Sequence, residues 1–432
     1  MDLSYPSTTI ERMFDTLAFS AINQHAGEAA LIKRIADLER VKAAAAAGQA
    51  RAAAALDERR RADEAAAGVP RRQRGRGVAS EIALARRDSP ARGGRHLGFA
   101  KALVYEMPHT LAALETGVLS EWRATLIVRE SACLAVEDRQ TLDAELCSDM
   151  SNLDGMGDAR IAAAAKEIAY RLDAQAVVDR AAKAPEERTV TIRPAPDTMT
   201  YVTALLPVAQ GVGVYAALKR AADTTFDGRS RGQVMADTLV ERVTGRPAGQ
   251  AEPVAVNLVI SDAALLGGAN SPALIGGYGP IPAAVARGLV HEAVTDDRAK
   301  ATLRRLYRRP RTGSLVALES RARCFPQGLA QFIGLRDQTC RTPYCDAPIR
   351  HRDHAQPHNR GGPTTAENGL GTCERCNYAK ESPGWQVRAG DENGAHTAEF
   401  VTPTGAKYKS TAPPLPDVSD IAASETDETE AA

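Results

Sequence analysis

Apolar positions in the first part of the chain recur every three or four residues, the period of a helix that buries one face. Ile10, Phe14, Leu17 and Ala21 form one such stripe and Leu31, Ile35 and Leu38 another, which predicts helix over residues 8–65. Beyond Val41 the stripe dissolves into AAAAAGQARAAAALDERRRADE. That composition favours helix but offers little side chain to bury, so a protruding or partner-dependent helix is expected. GVPRRQRGRGVAS (68–80) breaks the period with Gly, Pro and four Arg and reads as a linker or a basic arm.

Residues 80–182 return to a helical period. Ser80 resembles a cap, Ser89-Pro90 opens a second helix, and Leu111, Leu114, Leu119, Trp122, Leu126 and Ile127 predict a buried face. A short helix, a turn and a second helix could form a DNA-binding helix-turn-helix, but the pattern is unspecific and an ordinary helical hairpin is the favoured reading. Cys133 and Cys147 sit among aliphatics and read as core.

From residue 187 the period shortens. RTVTIRPA, TMTYVTALLP and VAVNLVISD (254–262) predict strands, AQGVGVYAALKRAADTT and SRGQVMADTLVERVTG predict helices, and RRLYRRPRTGSLVALES predicts a hairpin around Arg311. The fold class is therefore α+β: a mainly helical N-terminal region, an α+β middle domain and a small C-terminal module. His25, His96, His109 and His291 are isolated and carry no catalytic spacing.

A length of 432 residues, 44% hydrophobic and 25% charged, suits a globular chain of two or three domains. No uncharged apolar run approaches the ~18 residues of a membrane span, and MDLSYPSTTIERMFD lacks the apolar core of a signal peptide, so a cytoplasmic protein with no membrane partner is expected. Lys+Arg 54 balances Asp+Glu 54, but unevenly along the chain. Residues 298–323 carry nine bases against Glu319, and the last sixteen residues carry six acids and no base. A nucleic-acid binder with an acidic tail has this asymmetry. The abundance of Arg throughout makes any one cluster less telling.

The chemistry concentrates in residues 340–385. Cys340 and Cys345 form C-x4-C, and Cys373 and Cys376 form C-x2-C. Two such knuckles suit a structural Zn2+ held by four thiolates, with no coordination position left open. Such an ion would staple a segment too short to build its own core. Between the knuckles, Asp353-His354 closes a plausible strand, a Gly361-Gly362-Pro363 loop follows, then Asn368, and then a helix opening near Glu374 that carries Asn377. A carboxylate and an amide carbonyl are hard donors that suit Mg2+ or Mn2+. Adjacent strand residues point to opposite faces, so Asp353 and His354 could diverge, one toward a metal and one toward an attacking water. Metal and imidazole together suffice for phosphodiester hydrolysis.

The pattern DH-(x13)-N-(x8)-N, bracketed by two cysteine pairs, resembles the HNH endonuclease family and its ββα-metal fold. The resemblance implies that Asp353 and Asn377 ligate the catalytic metal, that His354 is the general base, and that Asn368 braces the loop. Asn377 stands where the name-giving pattern has His, which makes this an H-N-N variant. His358 and Arg360 read as contacts to DNA phosphates; His351 shares a strand face with Asp353 and could approach the metal, but it is read the same way. MPHTLAALETGVLSEWRATLI, GYGPIPAAVARGL and CFPQGLAQFIGLRDQTCRTPYC further resemble the family that joins domain of unknown function 222 to a C-terminal HNH module, over roughly residues 80–385.

The expected organisation is N-terminal helices over 1–67, a basic linker over 68–80, a domain-of-unknown-function-222-like domain over 81–325, the nuclease module over 326–390, and an acidic, disordered tail over 391–432. The expected partner is DNA, with the N-terminal helices offering a homo-oligomer contact. The expected activity is hydrolysis of phosphodiester bonds. The alternative is a zinc-stapled DNA-binding protein that does not cut.

Overall fold

The computed structural model describes residues 27–248, 258–266, 268–295 and 324–414. The Ile10–Ala21 stripe, the start of the 254–262 strand, the basic run 298–323 with its hairpin, and the acidic stretch from Asp417 lie outside them.

In chain order, helices α1 (Glu28–Ala66), α2 (Val78–Ala85), α3 (Pro90–Tyr105), α4 (Pro108–Glu115), α5 (Glu121–Glu130), α6 (Val136–Cys147), α7 (Asp158–Leu172) and α8 (Ala174–Lys183) precede the first strands. The hairpin β1 (Thr189–Pro194) and β2 (Thr200–Leu205) leads to α9 (Val208–Thr224) and α10 (Arg231–Thr244). Then come β3 (Leu258–Val259), α11 (Asp262–Leu266), β4 (Ala273–Ile275), β5 (Gly279–Ile281) and α12 (Ala283–Thr295). The C-terminal part is α13 (Gln327–Asp337), β6 (His351–His354), β7 (Gly369–Thr372), α14 (Glu374–Lys380), β8 (Gln386–Glu392), β9 (Ala395–Val401) and β10 (Lys407–Thr411). The mixture is α+β, and the chain divides into two compact units, Met1–Ala54 with Phe99–Val177 and Ala55–Gly98 with Val178–Ala432.

The first unit is helical, and it corrects the expectation for the alanine-rich stretch. Ala43, Ala46, Ala47, Ala50 and Ala54 are buried, whereas Leu31, Ile32 and Ile35 are exposed. Alanine buries little area per residue, but its small side chain lets a neighbouring backbone come close. A Cβ on Gly117 would stand 2.8 Å from the Arg40 Cα. The start of α4 is fixed from another helix: Asp143, fully buried on α6, accepts hydrogen bonds from the backbone N–H of His109 and of Thr110 at 2.7 Å each and from the Thr110 hydroxyl at 2.6 Å. These satisfy donors that a helix N-terminus otherwise leaves open. Cys147 is buried beside Thr110, and burial pushes its thiol up to about 11, which makes it an inert core residue.

The second unit holds the strands, in small antiparallel sheets. β1 and β2 pair from Thr189↔Leu205 to Pro194↔Thr200, and Val190, Ile192 and Val202 remain exposed. A capping box between Ser230 and Gln233 opens α10, and Gly245 in the left-handed region closes it. β3, β4 and β5 form a sheet in which Ala273 and Ile281 pack with Ala286 of α12.

The C-terminal part does not end near residue 390. β8, β9 and β10 form a further sheet whose Val387, Ala398 and Phe400 pack on Leu370 of β7. An Asn393-Gly394 turn, both residues at positive φ, joins β8 to β9. Asn-Gly between alternating strands is a strong hairpin signal, so residues 391–411 belong to this packed layer and are not a disordered tail.

Candidate active site and metal centre

β6 and β7 form a hairpin in the register His351↔Thr372, Arg352↔Gly371, Asp353↔Leu370 and His354↔Gly369, and α14 begins two residues after β7. The glycines of β7 are needed for close packing. A Cβ on Gly371 would collide with Ile349 and one on Gly369 with Ile333. Behind the hairpin, fully buried Asp337 accepts from the Gly371 N–H at 2.7 Å and pairs with Arg336 at 2.7 Å and Arg341 at 2.8 Å. Burial opposes the Asp337 charge, but the two guanidinium charges and their hydrogen bonds hold its carboxyl below the usual range. Arg336 also donates to the Gly369 carbonyl at 2.6 Å, so one ionic knot fixes both ends of this segment of β7.

The four cysteines converge. Cys340 and Cys345 come from the loop after α13, Cys373 caps α14, and Cys376 lies in its first turn. Their Sγ atoms all lie within 4.8 Å of one another, with Cys345–Cys376 at 3.5 Å and Cys345–Cys373 at 3.7 Å. A tetrahedral site with Zn–S bonds of ~2.3 Å has S–S edges of about 3.8 Å. The pocket therefore has the size and donor set of a structural zinc site, and three of its four cysteines are buried. Hydrogen bonds from Cys340, Cys345 and Cys376 hold the Cys373 thiol far below its ordinary value. The Cys345 and Cys376 thiols are driven up, chiefly by their bonds to Cys340. Four thiols this close lose their protons together only when a cation offsets the repulsion.

Asn368 lies under the loop between the strands. Its Oδ1 accepts from Gln356 N–H at 2.9 Å, and its Nδ2 donates to the carbonyls of Gln356 at 3.1 Å and Pro363 at 2.8 Å. Three backbone groups of the loop are thus tied to one amide. Gly362 beside it cannot carry a side chain, since a Cβ would run into the Gln356 carbonyl.

Asp353 and His354 do not diverge as strand alternation suggests. Asp353 Oδ1 accepts from its neighbour's backbone N–H at 2.8 Å and lies 3.5 Å from the His354 Nδ1. The His354 imidazole is buried, its Nε2 is 2.9 Å from the Thr364 hydroxyl, and its ring lies tilted against Phe325 with centroids 4.6 Å apart. Burial lowers the His354 pKa against the opposing pull of Asp353, so the ring is neutral at pH 7. His358 is exposed in the loop with its ring 5.6 Å from that of His354, and Arg360 is exposed next to it. The His351 ring lies 6.3 Å from that of Tyr378, tilted against it.

Asn377 comes near Asp353 from α14 and helps, after Lys380, to favour its charged form, while Thr372 Oγ1 donates to Asn377 Oδ1 at 3.2 Å. Carboxylate and amide, 24 residues apart in the chain, are thus neighbours. The residue that sequence reasoning missed is Lys380. Its side chain is 2% exposed, and its ammonium lies 3.0 Å from Asp353 Oδ2 and 2.5 Å from Glu381 Oε1. Burial opposes the Asp353 charge, but Lys380 holds the carboxyl below its ordinary range. Its signal was the spacing from Asn377: i and i+3 share a helix face.

Residues 35–337 match the family model described as Domain of unknown function (DUF222). The match covers more than half of the chain, which belongs to that family. It stops before the first cysteine of the cluster. Neither curated proteins nor solved structures give a match. No helix among the described residues is long and apolar enough to cross a membrane.

Proposed function

We propose that the chain is a metal-dependent DNA endonuclease of the HNH type, cutting phosphodiester bonds with the module that begins at α13. The observation that carries this reading is the meeting of Asp353, His354 and Asn377 on a hairpin and the helix after it, beside the four-cysteine cluster. A bound Mg2+ or Mn2+ on Asp353 and Asn377 would supply positive charge to the developing phosphorane and the leaving oxygen.

The chain's own residues do the rest. In the tautomer whose Nε2–H donates to Thr364, the His354 imidazole would keep the Nδ1 lone pair on the Asp353 side, where it would take the proton of the attacking water. Asn368 holds the loop that presents Thr364, His358 and Arg360, and the last two are placed to meet phosphate. Cys340, Cys345, Cys373 and Cys376 would hold a zinc that ties the first turn of α14, which carries Asn377, to the loop before β6.

A second reading is a zinc-stapled DNA binder that does not cut. One observation favours it: Lys380 already neutralises Asp353. Incubating supercoiled plasmid with the full chain and Mg2+ or Mn2+, with a metal-free control, separates the two. Metal-dependent nicking supports the nuclease; retarded but uncut plasmid supports the binder.

A further inference from the structure

The basic arm noted in the sequence does not dangle. It runs into α2, which packs on the C-terminal module within the same compact unit. Glu81 of α2 is buried, pairs with Arg60 at 3.1 Å, and accepts hydrogen bonds from the backbone N–H of Thr404 at 3.1 Å and from the Thr404 hydroxyl. Gly77, at φ +86°, lies so close to Trp385 that a Cβ would stand 2.6 Å from the indole Nε1. Ser80 and Leu84 of α2 and Pro90 share a small cavity wall with Cys376, Ala379 and Lys380 of α14. The arm is therefore fixed against the helix that carries Asn377.

The charge this segment shows to solvent has one sign. Residues 71–95 contain eight arginines, of which Arg71, Arg72, Arg76, Arg87, Arg92 and Arg95 are exposed. The two acids are spent internally: Glu81 in the contacts above, and Asp88 on His96 at 2.8 Å and Arg92 at 3.4 Å. Among the described residues no carboxylate pairs with Arg71, Arg72, Arg76, Arg87 or Arg95. Cations held apart on a fixed ridge, with their counter-charges buried, suit a ladder of phosphates. No aromatic residue occurs between Arg71 and Arg95, so the segment itself offers no platform on which a single strand would stack its bases.

We propose that the segment Arg71–Arg95 is a binding surface for the phosphate backbone of duplex DNA, clamped beside the catalytic helix. It deepens the nuclease reading and rests on it. Because the anchor is preformed, little ordering has to accompany binding. The surface sets where the duplex lies across the module and takes no part in the chemical step.

The test uses the full chain and a short labelled duplex, with no divalent ion added, and follows affinity by anisotropy across a salt series. The triple variant Arg71→Gln, Arg72→Gln, Arg76→Gln is expected to lose ~10-fold or more at 0.1 M salt, and the slope of log K against log salt to fall by ~2–3. The corresponding triple Lys variant should recover most of that loss, since a point charge still meets phosphate. Melting temperature and zinc content should not change in either variant, and a single strand of equal length should bind more weakly than the duplex. Unchanged affinity and slope in the Gln variant, with nicking intact, would overturn this surface and leave the nuclease standing. So would tighter binding of the single strand, or equal losses in the Gln and Lys variants with a lowered melting temperature. A wild-type chain with no salt-dependent duplex affinity would overturn both.

Discussion

The Lys380 ammonium lies 3.0 Å from Asp353 Oδ2, with its side chain almost wholly buried and the carboxylate half-buried. A divalent ion that ligates Asp353 therefore meets a competing cation. Lys380→Met removes the charge and keeps the aliphatic stem that packs beside Ala379. Mn2+ affinity, read by electron paramagnetic resonance, is expected to rise about tenfold, the effect one neighbouring unit charge has on a carboxylate. Equal affinity in both proteins would mean that the ammonium moves aside at no cost.

Removing His354 tests the chemistry separately from binding. His354→Ala is expected to lower nicking by ~10²–10⁴-fold with duplex affinity unchanged, because proton transfer matters only in the transition state. A wild-type rate from the variant would take the base role away from His354. Thr364→Ala should cost less, since it removes only the group that fixes the ring.

One tightly held zinc per chain is expected from elemental analysis of reduced protein. Cys373→Ser should abolish it and lower the first thermal transition, while most helical circular dichroism survives, because the helical unit contains none of the four cysteines. Reduced protein that lacks zinc yet melts unchanged would show that the cysteines are mere core residues.

Acid should loosen the C-terminal layer through His396. Its Nε2–H donates to the Glu367 carbonyl at 2.8 Å, its Nδ1 faces Arg341 at 3.1 Å, and burial lowers its pKa from 6.5 to about 4. The unfolded chain therefore binds a proton that the folded one refuses. Stability is full above pH 6.5 and falls as pH drops toward about 4, by at most ~3 kcal/mol. Urea unfolding at pH 7 and pH 4.5 should show a smaller acid loss in His396→Gln than in the wild type. Identical losses would assign the acid sensitivity elsewhere.

In the helical unit, Asp143→Ala leaves the N–H groups of His109 and Thr110 and the Thr110 hydroxyl without their acceptor. Buried unsatisfied donors cost ~1–3 kcal/mol each, so a loss of several kcal/mol is expected on chemical denaturation. A change below ~1 kcal/mol would mean that water replaces the carboxylate.

The sequence by itself determined what short-range spacing controls. The helices of residues 80–182, the switch to strands near residue 187 and the two cysteine knuckles are local patterns, and the structure contains each of them. Asp353 and Asn377 could be singled out because their side-chain chemistry is legible without a partner. What tertiary structure alone decided depends on what lies opposite each residue. Ala43–Ala54 looked too small to bury, yet a close-approaching backbone buries it. Lys380 was one basic residue among many until the α14 fold set it on Asp353. Nothing local in the sequence marks Asp337, Glu81 and Asp143 as buried acids; long-range donors make their burial possible. Asp353 and His354 were expected on opposite faces, but backbone alternation fixes only the Cα–Cβ direction. The side-chain torsions that bring them within 3.5 Å follow from packing against Phe325 and Thr364.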